Sequence, residues 1–314
     1  MKIYAALPSG AAGHGDLLRQ LTQGDEVWVA DPQAMTASDF DAFAEAEVAF
    51  GLIPIERLET ARRLRWIQFV SVGIEAYRDV VWDEFPSITC TNLGGLYAEP
   101  MAQTVLAGLL GLYRGIDQLA QAKPQREWQK ERLHARIEIL QEAHVLLLGN
   151  GNVNRRVRAL LQPFGCRFTV FARTRGDIRT PAELDAVLSG IDVVCAALPD
   201  TPQTRGLLDA SRLARLKAGA IVVNVGRGSL IDEAALIERL TAGHLGGAVL
   251  DVTQREPLPE DDPLWNSPRT ILTQHTSAGS RHVMVSALAF FATNLEAYRS
   301  GRSLMNVVDW ARGY

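Results

Sequence analysis

The sequence predicts an α/β protein built from two doubly wound parallel-sheet domains. Three observations point there. Short apolar runs alternate with amphipathic segments along the whole chain, the pattern of parallel strands joined by crossover helices. At 314 residues the chain is too long for one ordinary core. A second series of strands opens near residue 144 with a glycine-rich turn of the kind that cradles a dinucleotide.

In the first third, strands are expected at 2–7, 26–29, 48–51, 66–69 and 87–91. A long apolar helix at 101–113 suits the seam between the domains. Residues 124–136 are polar and basic around Trp128 and read as an arm or an interface loop. The second series begins at 144–148 and continues at 166–171, 193–196, 220–225, 247–252 and 270–273. A last helix at 283–299 is expected to return to the first domain. The boundaries therefore read as 1–98 completed by 283–314 for one domain, and 99–282 for the other.

Composition excludes several classes. Hydrophobic residues make up 47% and charged residues 22%, as in a globular protein with its own cores. A net charge of −4 offers no basic field for nucleic acid or anionic lipid. The apolar stretch within residues 1–10 is too short for a signal sequence and reads as a first strand. No run of about 18 apolar residues occurs, so no membrane span is expected. Cys90, Cys166 and Cys195 share no metal-ligand spacing and read as buried, reduced thiols of a cytoplasmic protein, with no metal site.

The run Val145-Leu146-Leu147-Leu148-Gly149-Asn150-Gly151-Asn152-Val153-Asn154 is a buried strand entering a Gly-x-Gly turn. Gly149 allows the tight turn. Gly151 lets backbone approach a pyrophosphate, whose charge meets the open N–H groups of the next helix. Asn154 stands where a third glycine is usual; that position mainly governs helix–strand packing, so binding is expected to survive even a slightly displaced helix. An ordinary strand-to-helix turn is the plain alternative. After the next strand an NAD site usually offers an acid for the ribose 2′-hydroxyl. Here Ala172 holds that place, Arg173-Thr174-Arg175 follows, and no carboxylate comes before Asp177. Arg173 and Arg175 suit a 2′-phosphate, with Thr174 as a further donor, so NADP(H) is favoured over NAD(H). A solvated basic turn is the plain alternative.

Downstream stand Leu198-Pro199, Thr204, Asn224-Val225-Gly226-Arg227-Gly228-Ser229-Leu230-Ile231-Asp232-Glu233, Leu250-Asp251-Val252, Glu256-Pro257-Leu258-Pro259, Pro263-Leu264-Trp265, His275 and Gly279. In this order and spacing they resemble the D-isomer-specific 2-hydroxyacid dehydrogenases. Arg173-Thr174-Arg175 and the closing residues 311–314 resemble the glyoxylate/hydroxypyruvate reductase branch. The resemblance implies a flavodoxin-like substrate domain and a Rossmann domain, with the active site between them. It further implies a dimer and a small 2-oxo or 2-hydroxy acid as substrate. Around the cofactor it sets Gly149, Gly151, Asn152, Val153, Leu198, Pro199, Thr204, Val225 and Thr104, with Asp251 near the carboxamide.

The chemistry follows from the residue types. His275 would give a proton to the carbonyl oxygen as hydride reaches the carbon. Glu256 would hold its other ring nitrogen, fixing the tautomer and favouring the charged form. Arg227 would bind the substrate carboxylate and polarise the carbonyl. An exposed turn for Arg227 and a solvated loop end for Glu256 are the plain alternatives. Gln274 replaces the proline the family usually has before the histidine. The resemblance further implies that backbone N–H groups of Val72 and Gly73 bind the carboxylate, with Glu75 in place of the family's usual Asp; a plain strand-to-helix turn is the alternative. Asn92 and Tyr97 are expected to face the cleft, and Leu52-Ile53-Pro54 to line a side-chain pocket. Two other readings keep the motifs. One is oxidation of a different small anion such as phosphite or formate. The other is a cofactor-sensing binding protein.

Overall fold

The computed structural model describes residues 1–7 and 14–310. Residues 8–10 of the opening stretch and the closing residues 311–314 lie outside the described residues. The chain divides into two compact units, one of Met1–Tyr97 with Ser280–Tyr314 and one of Ala98–Gly279.

The first unit starts β1 (Lys2–Ala6), α1 (His14–Leu21), β2 (Glu26–Ala30), α2 (Ala37–Ala44), β3 (Val48–Gly51), β4 (Trp66–Phe69) and β5 (Thr89–Thr91). These strands form an all-parallel sheet in the order β2-β1-β3-β4-β5, the flavodoxin-like order. Alternation along each strand divides the core between two faces. Ile3, Ala5, Val48, Phe50 and Trp66 point to one face, and Tyr4, Ala6, Ala49, Ile67 and Phe69 to the other. Gly51, with φ +112°, ends β3 where a Cβ would stand 2.0 Å from the Ala6 carbonyl oxygen. Only glycine fits there.

The second unit holds α3 (Ala98–Tyr113), α4 (Ile116–Gln125), α5 (Lys130–His134), β6 (His144–Leu148), α6 (Asn152–Leu161), β7 (Arg167–Phe171), α7 (Pro181–Val187), β8 (Val193–Ala196), α8 (Ala210–Arg215), β9 (Ile221–Asn224), α9 (Glu233–Thr241), β10 (Gly247–Leu250) and β11 (Thr270–Leu272). Its sheet runs β11-β10-β9-β8-β6-β7, all parallel. Ile178 adds a single parallel bridge beyond β7 at Phe171. Counting that bridge as a vestigial third strand gives the Rossmann order, with the switch point between β6 and β8. Helix α3 lies on this sheet, and a Cβ at Gly108 would meet Val249 of β10 at 2.7 Å. The expected arm, 124–136, is helix for much of its length: Pro124 falls in the last turn of α4, and α5 follows.

The chain then returns to the first unit as α10 (Val283–Arg299). Phe291 stacks on Trp66 at 5.1 Å between ring centroids. Asn294, fully buried, donates to Gln68 of β4 and to the Met305 carbonyl and accepts the Met305 N–H. Helix α10 and Val308 are thus built into the first sheet's core. Observed strands are shorter than expected by one or two residues at several ends. The residues lost, such as Val225 and Asp251, leave the ladder to open the loops described next.

Candidate active site

The expected cofactor and catalytic residues of the second unit, apart from Thr104 on α3, lie in loops that follow the carboxyl ends of strands or at the start of α6, where open parallel sheets bind ligands. Between β6 and α6, Gly149 turns with φ +100°, and a Cβ there would meet Leu198 Cδ2 at 3.0 Å and the Ala197 carbonyl at 3.1 Å. Gly151 faces open space: a Cβ placed on it would have nothing within 4 Å. Asn152 and Val153 are the first two residues of α6, so their N–H groups have no partner within the helix. This is an opening of the right shape and polarity for a pyrophosphate.

Asn154 is the third residue of α6. It is completely buried, and its Nδ2 donates to the carbonyls of Leu148 (2.8 Å) and Gly149 (2.9 Å). Its Oδ1 accepts the Cys195 thiol at 3.5 Å. A side chain occupies the space that a third glycine would leave, and it braces the turn from beneath. Burial pushes the Cys195 thiol up to about 12, so it is a structural thiol. All three cysteines are free and buried.

Arg173, Thr174 and Arg175 are exposed on the turn after β7. Asn150 Nδ2 donates to the Arg175 carbonyl at 2.6 Å and so joins this turn to the glycine loop. Asp177 is committed elsewhere: its Oδ2 accepts the Val170 N–H at 2.8 Å. Thr204 Oγ1 donates to the Pro199 carbonyl at 2.7 Å and fixes the loop that carries Leu198. Two of the expected cofactor residues offer less than the motif suggests. The Val225 side chain is buried in the core and its N–H bonds to Ala196. The Thr104 hydroxyl donates to Pro100 one turn back.

Arg227, Glu256 and His275 follow β9, β10 and β11, three neighbours in the sheet. Asn224 braces the arginine loop: its Oδ1 accepts the Gly226 N–H and its Nδ2 donates to the Arg227 carbonyl at 2.9 Å. Gly226 and Gly228 are obligatory, since a Cβ would lie 2.7 Å from the Leu198 carbonyl oxygen and 2.0 Å from Thr253 respectively. Partly buried Arg227 turns one Nη1 donor to the Gly226 carbonyl at 2.7 Å. His275 Nδ1 meets Glu256 Oε2 at 2.6 Å, and Glu256 Oε1 accepts the Thr253 N–H at 3.0 Å. The pair is half-exposed and opens on a cavity of about 460 Å3 walled by Pro257, Leu258, Trp265 and Leu272. His275 Nε2 has no protein partner among the described residues.

Asp251 is a loop organiser. It is buried, and its carboxylate accepts the Thr273 hydroxyl (2.6 Å), the N–H groups of Thr276 and Ser277 (3.0 Å each) and the Ser277 hydroxyl. The loop so gathered runs left-handed, with φ +51° at Gln274 and +56° at His275. That accounts for Gln274: proline fixes φ near −65° and cannot stand here. The contribution of Gln274 is to permit the turn.

In the first unit, Val72 is exposed after β4. The N–H groups of Val72 and Gly73 donate to no other group among the described residues. Asn92 and Tyr97, expected to face the cleft, use polar groups within this unit. Asn92 Nδ2 donates to the Val72 carbonyl at 3.0 Å and the Tyr97 hydroxyl to Val70, so both brace this turn. Of the expected pocket wall, Ile53 and Pro54 are buried and only Leu52 is exposed. The bracing roles of Asn224 and Asn154 were not foreseen from the sequence. The Asn-x-Gly spacing at Asn224 carried a signal for a side-chain-braced turn.

The chain belongs to the D-isomer specific 2-hydroxyacid dehydrogenases: the model of that family's NAD binding domain matches residues 106–277. It is an oxidoreductase of that family. It is 30% identical over 275 residues to the glyoxylate/hydroxypyruvate reductase A of Salmonella paratyphi B, an alignment covering 83% of this chain and 85% of that one. A family member from Aeromonas salmonicida subsp. salmonicida, 28% identical, superposes with a TM-score of 0.83 over 98% of this chain and 99% of its own. A member from Xanthobacter autotrophicus, solved in complex with NADPH and MES, is 27% identical with a TM-score of 0.83, covering 100% and 99%.

The left-handed turn generates a prediction. Gln274→Pro restores the family's usual residue yet should lower kcat by at least about 10-fold and reduce Tm, because an incompatible φ is strained. Steady-state rates and thermal melting check this. Wild-type turnover in the variant would mean that the working loop is not left-handed.

Proposed function

We propose that this chain reduces a small 2-oxo acid of the glyoxylate or hydroxypyruvate type with NADPH, giving the D-2-hydroxy acid where the product is chiral. The observation that carries the reading is the His275–Glu256 contact at 2.6 Å, beside the braced Arg227 loop and on the same sheet edge as an open dinucleotide turn. Identity of 30% to the Salmonella reductase supports the substrate class.

The residues present fit the cofactor. The Gly149–Gly151 turn and the first N–H groups of α6 would hold the pyrophosphate. Arg173 and Arg175 would hold a 2′-phosphate, since the turn offers two guanidinium groups and its one nearby carboxylate, Asp177, is occupied by backbone. The NADPH found with the Xanthobacter relative agrees with this preference. When bound, the nicotinamide supplies the hydride.

The protein's own part is acid catalysis and charge stabilisation. Arg227 pairs with the substrate carboxylate and polarises the carbonyl oxygen as negative charge develops. In the first unit, the N–H groups of Val72 and Gly73 are proposed donors to a substrate carboxylate. His275 donates its Nε2 proton to the carbonyl oxygen as the alkoxide forms, while Glu256 holds Nδ1 and stabilises the imidazolium. In the oxidative direction the same nitrogen takes the hydroxyl proton. Asp251 serves by gathering the His275 loop.

A second copy of the chain is the proposed partner. Ile116, Leu119, Trp128 and Ile139 are all exposed around α4 and α5, and Trp128 is 88% exposed. Such a grouping of large apolar side chains suits an interface. Trp128→Ala should shift sedimentation toward the monomer at micromolar concentration; an unchanged profile would reject this face.

The activity itself is tested by following reduced-nicotinamide absorbance with NADPH and NADH against glyoxylate, hydroxypyruvate, pyruvate and a phenyl-substituted 2-oxo acid. Turnover with the small acids and NADPH is expected, and cofactor binding without any turnover would reject the reductase reading. His275→Ala should lower kcat by about 10²- to 10⁴-fold, the usual contribution of a positioned acid, with cofactor affinity retained. Arg173→Ala should raise the KM for NADPH by about 10-fold and leave that for NADH within about twofold, as expected for a lost charge-assisted bond. Equal effects on both cofactors would reject the 2′-phosphate assignment.

A further inference from the structure

We propose that Glu233 is a positioning residue for the Glu256–His275 pair, acting through the loop at 253–256. The inference rests on the acid–base reading of that pair. Glu233 is the first residue of α9, but it does not cap the helix. Asp232 does so, accepting the Ala235 N–H at 3.1 Å. The Glu233 carboxylate instead leaves its helix, and its Oε1 accepts the Gln254 N–H at 2.6 Å. Gln254 answers with a second bond, its Nε2 donating to the Ile231 carbonyl at 2.6 Å. Gln254 is therefore clamped at both backbone and side chain to residues 231–233.

What the clamp holds is the base of Glu256. Thr253, next to Gln254, donates its N–H to Glu256 Oε1 at 3.0 Å and its hydroxyl to the Arg255 carbonyl at 2.7 Å. The other carboxylate oxygen, Oε2, lies on His275 Nδ1. A shift at Gln254 moves the Thr253 N–H, and with it one of the two anchors of the Glu256 carboxylate. The same Thr253 backbone lies against Gly228, so the segment has little room to drift toward the arginine loop.

The surroundings act on the Glu233 carboxyl in both senses. Burial raises its carboxyl above the usual range, and Asp262 and Glu256 add to this; the Gln254 N–H and Arg255 act in the opposite sense. The balance disfavours the charged form of Glu233. A glutamine there would keep the acceptor and lose the penalty.

The test is a mutant cycle in steady-state reduction of glyoxylate by NADPH, using the full chain. Glu233→Ala should lower kcat by about 10-fold, with both KM values within about twofold, the mark of an interaction felt in the transition state. Glu233→Gln should keep kcat within about threefold, because its amide oxygen still accepts the Gln254 N–H. In a Glu256→Gln background, Glu233→Ala should remove almost nothing more, since residues acting through one another are not additive. Equal loss in both backgrounds, a loss confined to KM, or no rescue by glutamine would overturn the proposal. If Glu233→Ala does not fold, Gln254→Ala replaces it in the cycle, with a smaller loss of about threefold expected and the same non-additivity. A Glu256→Gln chain with full turnover would instead overturn the acid–base reading itself, and this inference with it.

Discussion

The geometry of this site depends on one buried carboxylate. Asp251 directly follows β10 with almost no exposure, where an ion must be paired or hydrogen-bonded. Its four donors all come from residues 273–277. Hydrogen bonds to a charged group are worth about 1.5–3 kcal/mol each. Two consecutive left-handed residues, Gln274 and His275, cost about 1–3 kcal/mol each. The bonds outweigh the strain, so the loop stays in a conformation that the chain would otherwise avoid. The His275 N–H adds a bond to the Asp251 carbonyl, and the ring is delivered to Glu256.

Around that anchor, close backbone contact takes the place of bulk. Gly226 abuts the loop of Leu198, and Gly228 abuts Thr253. The loops after β8, β9 and β10 are therefore in direct contact, without side chains between them. Any Cβ at these glycines would push apart the segments that carry Arg227 and Glu256. The polar braces Asn224 and Asn154 satisfy carbonyls and N–H groups that a loop leaves exposed, which is the usual requirement for buried backbone. Loops at the end of a rigid sheet become precise in this way, although none has regular structure of its own.

Much of the fold was legible because a parallel strand buried on both faces is written as a continuous apolar run. Val145 to Leu148 and Ile221 to Val223 are of this kind. The domain that closes on itself through α10 was legible too, from an apolar helix following the last strand. What could not be read was direction. Asn154 occupies a glycine's position, and only the packing beneath the turn shows that its amide points back at the carbonyls. Val225 sits inside the signature yet faces the core. Asn92 and Tyr97 look like ligands in sequence but spend their polar atoms on the turn at Val72. The left-handed φ at Gln274 depends on Asp251, far back in the chain at the end of the neighbouring strand, and no local pattern carries it.

The cofactor turn illustrates how one residue's structural duty bears on chemistry. A carboxylate at the end of β7 would repel a 2′-phosphate and attract a ribose hydroxyl. The first carboxylate after that strand is Asp177, and it already accepts the Val170 N–H while its own N–H returns to the Val170 carbonyl. Gly176, beside it, leaves no space for a side chain, since a Cβ would lie 2.5 Å from the Ala172 nitrogen. The turn is thus closed by its only acid, with Arg173, Thr174 and Arg175 on the outside. Asn150 ties the backbone of that turn to the glycine loop. On the proposed reading, selectivity for a phosphorylated ribose needs no dedicated pocket. It needs a basic turn whose one carboxylate is already held by the backbone.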